Sequence, residues 1–281
     1  MTERETAGRP GDGVADAVQA TAYLAAACRA REAARAQPRL TDPYAARFAS
    51  LADQPALHRL ASSAGEEVVA RTVLLDRLLG SALSQWEQPL VVNLGAGFCT
   101  RPYRLDLSAC RLVLEVDAAP VLAVKERVLA EEKASCPVIR SPGDVTRLPE
   151  LVDLLAAHGA GDGPTVVLTE GLLPYLPEAA VTQLAEALAG ALPEAIWLAD
   201  VVSTSSAAGM AQLARTAGAA VPLYGLDSLA GCEAHGWQVV DYRILPVARR
   251  GPLGVPGRGG GPVSSQVVDG VVALRHPRAP R

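Results

Sequence analysis

Gly95 and Asp117, 22 positions apart, are the residues of this 281-residue chain whose types and spacing most directly suggest a bound ligand. Gly95-Ala96-Gly97 follows a short apolar run at 89–94, and Asp117 closes a second such run at 111–116. Glycines after a strand let the backbone turn sharply and approach a ligand with no Cβ in the way. A carboxylate about 20 residues further on, at the next strand end, is placed to accept hydrogen bonds from ribose hydroxyls. A dinucleotide-binding turn would carry a third glycine at position 100, where close helix packing accommodates a pyrophosphate, but Thr100 and Arg101 stand there. The pattern suits a nucleoside without phosphates and argues against a nicotinamide-dependent dehydrogenase.

Other side chains could serve the same ligand or its reaction partner. Glu170 follows the apolar run TVVLT at 165–169, where a carboxylate is costly unless paired. Tyr175, five residues later, is placed to wall or hydrogen-bond a substrate pocket, although an aromatic there also serves as core. Arg71 on an amphipathic helix and Arg29 on an Arg-rich one are by themselves ordinary surface cations, and Asp144 in a turn is by itself an ordinary turn cap. His58, His158, His235 and His276 show no metal-ligand spacing, and His158 and His235 read as last-turn helix residues. The five cysteines, 28, 99, 110, 136 and 232, form no C-x-x-C pair and read mostly as buried thiols.

These positions need strands to hold them. Apolar, β-branched runs at 89–94, 111–116, 137–140, 165–169, 195–202, 237–245 and 265–274 read as seven strands. Helical patterns at 15–36, 66–79, 120–133, 149–158, 177–192 and 226–235, with a short helix between Thr41-Asp42-Pro43 and Ser50, precede and separate them. Room for one further helix lies between the first two strands. Alternation of this kind specifies right-handed βαβ units and a mainly parallel sheet covered on both faces. The last two strands, joined by a Gly/Pro-rich loop at 249–262, read as an antiparallel hairpin closing one sheet edge. Residues 203–222, rich in Ala and Ser, carry no firm pattern and are expected to be an insertion that shapes the substrate site. Residues 1–13 lack apolar periodicity and are expected to be a disordered tail. The remainder, 14–281, reads as one domain with a helical N-terminal part at 14–85 and a core at 86–281.

With 26 Lys and Arg against 30 Asp and Glu the formal charge is −4, and Lys125 and Lys133 are the only lysines. No electrostatic footprint for nucleic acid follows. No apolar run approaches the ~18 residues that span a bilayer, and no signal-type N-terminus is present, so a soluble cytoplasmic protein, monomer or homodimer, is expected.

Several segments taken together resemble the leucine carboxyl methyltransferase family, in particular its bacterial branch of polyketide-biosynthesis O-methyltransferases. They are VVNLGAGFCTRPYRL at 91–105, LEVDAAP at 114–120, GDVTR at 143–147 and TEGLLPYL at 169–176, preceded by Arg29 with Glu32, Asp42-Pro43-Tyr44-Ala45, and Ala70-Arg71-Thr72 with Asp76. The resemblance runs from about residue 21 to 240. It implies a Rossmann-like α/β class I methyltransferase fold: a seven-stranded, mostly parallel sheet, an antiparallel C-terminal hairpin, helices on both faces and extra N-terminal helices. It also implies S-adenosyl-L-methionine as cofactor and S-adenosyl-L-homocysteine as product. Gly95, with Ala96 and Gly97, would lie beneath the methionine part, and Asp117 would hold the ribose. Asp144 and the backbone of Val145 would read the adenine. Glu170 would face the ammonium end, Arg71 would reach the carboxylate, and Arg29 would offer a cation to that carboxylate or to the substrate. Cys99 departs from the family pattern, which carries Asp there.

A sulfonium methyl group is already activated, so the protein must chiefly align an acceptor oxygen and exclude water. A carboxylate is ionised at neutral pH and needs no base, whereas a phenol would gain from one. With no histidine placed as a base, the expected acceptor is a small molecule with a carboxylate or another oxygen such as a hydroxyl, with Tyr175 and Arg71 nearest the chemistry. A protein carboxyl terminus as acceptor, or a cofactor-binding relative turned to non-methyl chemistry, are the alternatives.

Overall fold

The computed structural model describes residues 12–52, 55–216, 222–245 and 266–276. Three helices come first: α1 (Asp12–Ala33), α2 (Ala45–Ala49) and α3 (Pro55–Leu83). Then β1 (Leu90–Leu94), α4 (Arg101–Arg104), β2 (Leu112–Asp117), α5 (Ala119–Val128), β3 (Val138–Pro142), α6 (Leu148–Ala157), β4 (Thr165–Thr169) and α7 (Glu178–Ala191) alternate. The chain continues with β5 (Ala195–Val201), α8 (Thr204–Thr216), α9 (Ala230–Glu233), β6 (Gln238–Ile244) and β7 (Gly270–His276).

The strands form one sheet in the order β3-β2-β1-β4-β5-β7-β6. The first five are parallel, and β7 pairs antiparallel with both β5 and β6. β1, β4 and β5 are buried along their whole length, as continuous apolar runs must be when helices cover both faces. On one face Leu90, Val92, Leu94, Trp197 and Val201 pack under α6 and α7. On the other, Val91, Val166, Ile196 and Leu198 meet Leu75, Leu79 and Leu83 of α3. α3 is thereby part of the sheet's own cover. The chain winds outward from β1 to β3 and then returns to β4, so direction switches between β1 and β4, where such sheets open a crevice at the strands' carboxyl ends.

Several boundaries differ from the sequence reading. Of the expected tail, residues 1–11 lie outside the described residues, while Asp12 and Gly13 already belong to α1. The loop at 249–262 also lies outside them. α3 is far longer than 66–79, because its N-terminal half packs on α1 rather than on the sheet and so lacks a sustained apolar stripe. β7 begins at Gly270 and not at 265. The stretch at 203–222 contains α8, started by Ser203, whose Oγ accepts from the Ser206 N–H at 3.3 Å. Cys28, Cys110 and Cys232 are buried, whereas Cys99 and Cys136 are partly exposed. No described helix is long and apolar enough to cross a membrane.

Candidate active site

The turn after β1 is built by two residues in the left-handed region, Gly95 (φ +64°) and Gly97 (φ +43°). A Cβ on Gly95 would come within 3.2 Å of the Leu172 side chain, so glycine lets the β1 turn close against the chain leaving β4. Asp117, at the end of β2, fixes this turn: Oδ2 accepts the Gly97 N–H at 2.6 Å and Oδ1 accepts the Ala118 N–H at 2.7 Å. Burial pushes the Asp117 carboxyl above its ordinary value, with those two N–H groups opposing the shift. Each oxygen accepts one of these bonds and keeps a further lone pair for a ligand hydroxyl.

Asp144 stands two residues beyond β3, next to Asp117 along the sheet edge, where the Gly143 N–H donates to the Asp117 carbonyl at 3.0 Å. Its side chain is exposed, and Oδ1 accepts from the Thr146 N–H and hydroxyl at 2.9 and 2.6 Å. Val145 beside it is half-buried against the core. Beneath the glycine turn lies a network that sequence reasoning missed. Lys125 of α5 donates to Glu115 Oε1 at 2.7 Å and to the Ala96 carbonyl at 3.4 Å, and both charged side chains are fully buried. Arg140 donates to the other Glu115 oxygen at 3.1 Å and to the Tyr103 hydroxyl at 2.5 Å. The available signal was a lone Lys on the face of α5 that also buries Val121 and Leu122.

Across the switch point, Glu170 leaves β4 into a dense set of charges. Arg101 Nη2 lies 2.6 Å from Oε2, Arg71 Nε 3.4 Å from Oε1, and the Thr72 hydroxyl donates to Oε1 at 2.5 Å. Burial opposes ionisation, but the Arg101 and Arg71 guanidiniums overcome it and hold the Glu170 carboxyl well below the usual range. Arg71 also reaches Asp200 Oδ2 at 3.3 Å, and Asp200 Oδ1 accepts the Gly171 N–H at 2.5 Å. Gly171 (φ +65°) is needed here, since a Cβ would sit 2.8 Å from Arg71 Nη2. Asp76 of α3 holds both Arg101, at 2.7 Å, and Arg104, at 2.6 Å. Arg101, Asp76 and Asp200 had no assigned role in the sequence reading. Asp200 was legible only as a carboxylate inside the apolar run AIWLADVV.

Arg29 makes two buried polar contacts of its own. Its Nε pairs with Asp42 Oδ2 at 2.9 Å and its Nη2 donates to the Phe98 carbonyl at 2.7 Å. The Thr100 hydroxyl joins Asp42 Oδ2 at 2.8 Å, while Asp42 Oδ1 accepts the Tyr44 and Ala45 N–H groups at 3.1 Å. Arg29 therefore ties α1 and the start of α2 to the loop after Gly97. Cys99 in that loop accepts from Arg101 Nη1 at 3.3 Å, a weaker acceptor than a carboxylate would be. Tyr175 lies half-buried in the short 3₁₀ turn after Glu170, bonded to Thr21 of α1, and burial raises its hydroxyl pKa.

The carboxyl edge thus carries, in spatial order, Asp144, Asp117, the glycine turn, and the Glu170–Arg71–Asp200 set. Among the described residues no group of His, Cys, Asp and Glu could hold a metal ion. The arrangement offers hydroxyl acceptors at one end and both charge signs at the other.

Comparison with known proteins identifies the family and the fold. The family profile described as leucine carboxyl methyltransferase matches residues 22–189. A Streptomyces avermitilis relative, provisionally named an S-adenosyl-L-methionine-dependent methyltransferase, is 32% identical over 231 residues, covering 78% of this chain and 77% of the relative. One from Frankia alni with the same provisional name is 38% identical over 193 residues, covering 63% of this chain and 66% of its own length, just under two thirds. A crystal structure from Thermobifida fusca, provisionally named a methyltransferase, superposes with a TM-score of 0.59 at 16% identity over 96% of this chain and 99% of that one, which establishes the shared fold. The chain belongs to the leucine carboxyl methyltransferase family.

Proposed function

We propose that this protein is an S-adenosyl-L-methionine-dependent O-methyltransferase acting on a small molecule through a carboxylate or hydroxyl oxygen, a polyketide being the acceptor class suggested by the family resemblance. The observation that carries this reading is the placement of Asp117 and Glu170 on either side of the β1 glycine turn, at the switch point of the sheet.

The residues present fit the cofactor. Asp117 keeps acceptor capacity on both oxygens for the two ribose hydroxyls, and the exposed Asp144 with the Val145 backbone suits an adenine edge. Gly95, Ala96 and Gly97 present backbone without an intervening Cβ, save at Ala96. Glu170 supplies a carboxylate for an ammonium group, and Arg71 a guanidinium for a carboxylate. Arg29 acts through the frame, by fixing the loop from Phe98 to Thr100. When bound, S-adenosyl-L-methionine supplies a methyl group activated by its sulfonium.

The chain's own task is alignment and exclusion of water. Tyr175 stays a neutral hydroxyl at pH 7, able to donate to an acceptor oxygen, and α8 with the chain around Tyr224 borders the same edge through the Tyr224 N–H bond to the Pro174 carbonyl. Incubation with methyl-labelled cofactor and panels of phenols, alcohols and carboxylic acids tests the reading. A base-labile labelled ester indicates a carboxylate acceptor, and a base-stable ether indicates a hydroxyl. Absence of label in any acceptor by a folded protein that binds the cofactor contradicts it.

A further inference from the structure

Arg101 opens α4, directly after the loop that leaves the glycine turn, and its buried guanidinium has a partner at every nitrogen. Nε pairs with Asp76 Oδ1 at 2.7 Å, Nη2 lies 2.6 Å from Glu170 Oε2 and 3.5 Å from the Thr72 carbonyl, and Nη1 donates to Cys99 Sγ at 3.3 Å. A thiol is a weak acceptor, so the charge is left to the two carboxylates. The base of the side chain is held as well, since the Phe98 carbonyl accepts from Arg29 and the Thr100 hydroxyl donates to Asp42. Asp76 is in turn fixed by Arg104, whose Nη1 and Nη2 reach its two oxygens at 2.6 and 2.9 Å.

The two oxygens of Glu170 are used unequally. Oε1 accepts the Thr72 hydroxyl at 2.5 Å and faces Arg71 Nε at 3.4 Å, which fills its acceptor capacity. Oε2 has Arg101 as its one partner among the described residues and keeps room for a further donor. The cations differ too. Arg71 is divided between Glu170 and Asp200 at 3.4 and 3.3 Å, and under the proposed function it also receives the ligand's carboxylate. Arg101 makes the shorter, charge-assisted contact, and Asp76 keeps it in place. Burial opposes the charge of Glu170, and Arg101 is the strongest of the cations that overcome it, ahead of Arg71 and the more distant Arg29. Within this set Arg71, Arg101 and Arg104 balance Asp76, Glu170 and Asp200, a neutral cluster that suits a zwitterion.

We propose that Arg101 is a positioning residue for the amino-acid end of the cofactor: it fixes the Glu170 carboxylate at the β4 exit, leaving Oε2 to accept from the ligand's ammonium, and Asp76 holds Arg101 for that task. The proposal rests on the methyl-transfer reading above. Because Arg101 belongs to the loop that leaves the glycine turn, it also ties the nucleoside half of the site to the amino-acid half. Without it, Glu170 would be a buried carboxylate leaning on a shared guanidinium, free to turn and readier to take a proton.

Calorimetric titration with S-adenosyl-L-homocysteine and with methylthioadenosine, which has the same nucleoside and no amino-acid end, separates positioning from general structure without reading activity. Arg101→Met is expected to weaken S-adenosyl-L-homocysteine binding about tenfold or more and to leave methylthioadenosine within about twofold of wild type. In a Glu170→Gln background the same substitution is expected to change S-adenosyl-L-homocysteine affinity by less than about twofold, because Arg101 acts through the carboxylate already removed. Equal losses for the two ligands, an unchanged S-adenosyl-L-homocysteine affinity, or losses that add in the double variant overturn the proposal. If circular dichroism shows Arg101→Met unfolded, Arg101→Lys carries the test, since a point charge cannot hold Asp76 and Glu170 together as the guanidinium fork does. A loss confined to S-adenosyl-L-homocysteine is then expected, and a parallel loss or none overturns the proposal. Wild type that binds methylthioadenosine as tightly as S-adenosyl-L-homocysteine also overturns it, whereas wild type that binds neither ligand overturns the methyl-transfer reading itself.

Discussion

Asp117 and Glu170 are both carboxylates at strand ends, and burial disfavours the charge of each, yet they titrate in opposite directions. Asp117 has two backbone N–H partners and, among the described residues, no guanidinium within bonding distance, so burial wins and its pKa rises. Glu170 has Arg101 and Arg71, so the cations win and its pKa falls well below the ordinary 4.5. Ionised Glu170 therefore contributes stability that is present above its unfolded pKa and is lost as pH falls below it. Urea midpoints measured from pH 7 to pH 3 should drop more steeply for wild type than for Glu170→Gln, and parallel curves would contradict this account. Asp117→Ala should weaken S-adenosyl-L-homocysteine binding by about 1–3 kcal/mol in calorimetry, and an unchanged affinity would remove Asp117 from the site. Both residues were legible in the sequence because each ends an apolar run. Arg101 was not, since at position 101 it registered only as something other than glycine. Asp200 was not, because its partners Arg71 and Gly171 are brought to it by the sheet from other parts of the chain.

At the scale of elements, the site depends on how α3, α5 and the β4 exit are held. Gly171 lets Arg71 lie across the sheet edge, so Gly171→Ala must accommodate both a φ of +65° and a Cβ 2.8 Å from Arg71 Nη2. A loss of about 1–3 kcal/mol is expected in chemical denaturation, together with weaker cofactor binding. A neutral outcome in both would show that Arg71 is not held there. Lys125 ties α5 to β2 beneath the glycine turn, and Lys125→Met leaves the buried Glu115 with Arg140 alone. Destabilisation of about 3–5 kcal/mol is expected, with much of it recovered by adding Glu115→Leu. No recovery in the double variant would contradict a pairwise origin. The strands were legible because parallel strands buried on both faces must read as unbroken apolar runs. α8 was not, because only Ala207 and Ala211 are its buried apolar anchors and alanine marks no face. Its start depends on Ser203, whose own partner, Asp269, lies 66 residues away.

For the molecule as a whole, the strand order carries the argument. The reversal between β1 and β4 opens the edge where Asp117, the glycine turn and Glu170 meet, and the antiparallel β7 delivers Asp269 to that same edge. Alternating strands and helices made the parallel part of this order legible in the sequence. The seating of β7 between β5 and β6 could be read only as a hairpin at an edge, since strand runs do not state which neighbour they choose. The cluster of charges over β4 and β5 arises only from that assembled edge, as its members come from α3, α4 and the ends of three strands. The central claim is that this edge binds S-adenosyl-L-methionine for methyl transfer, and calorimetric titration of the folded wild-type protein with S-adenosyl-L-homocysteine tests it most directly. Saturable one-to-one binding, weakened in Asp117→Ala, is the predicted result; no binding by the wild-type protein would contradict the account.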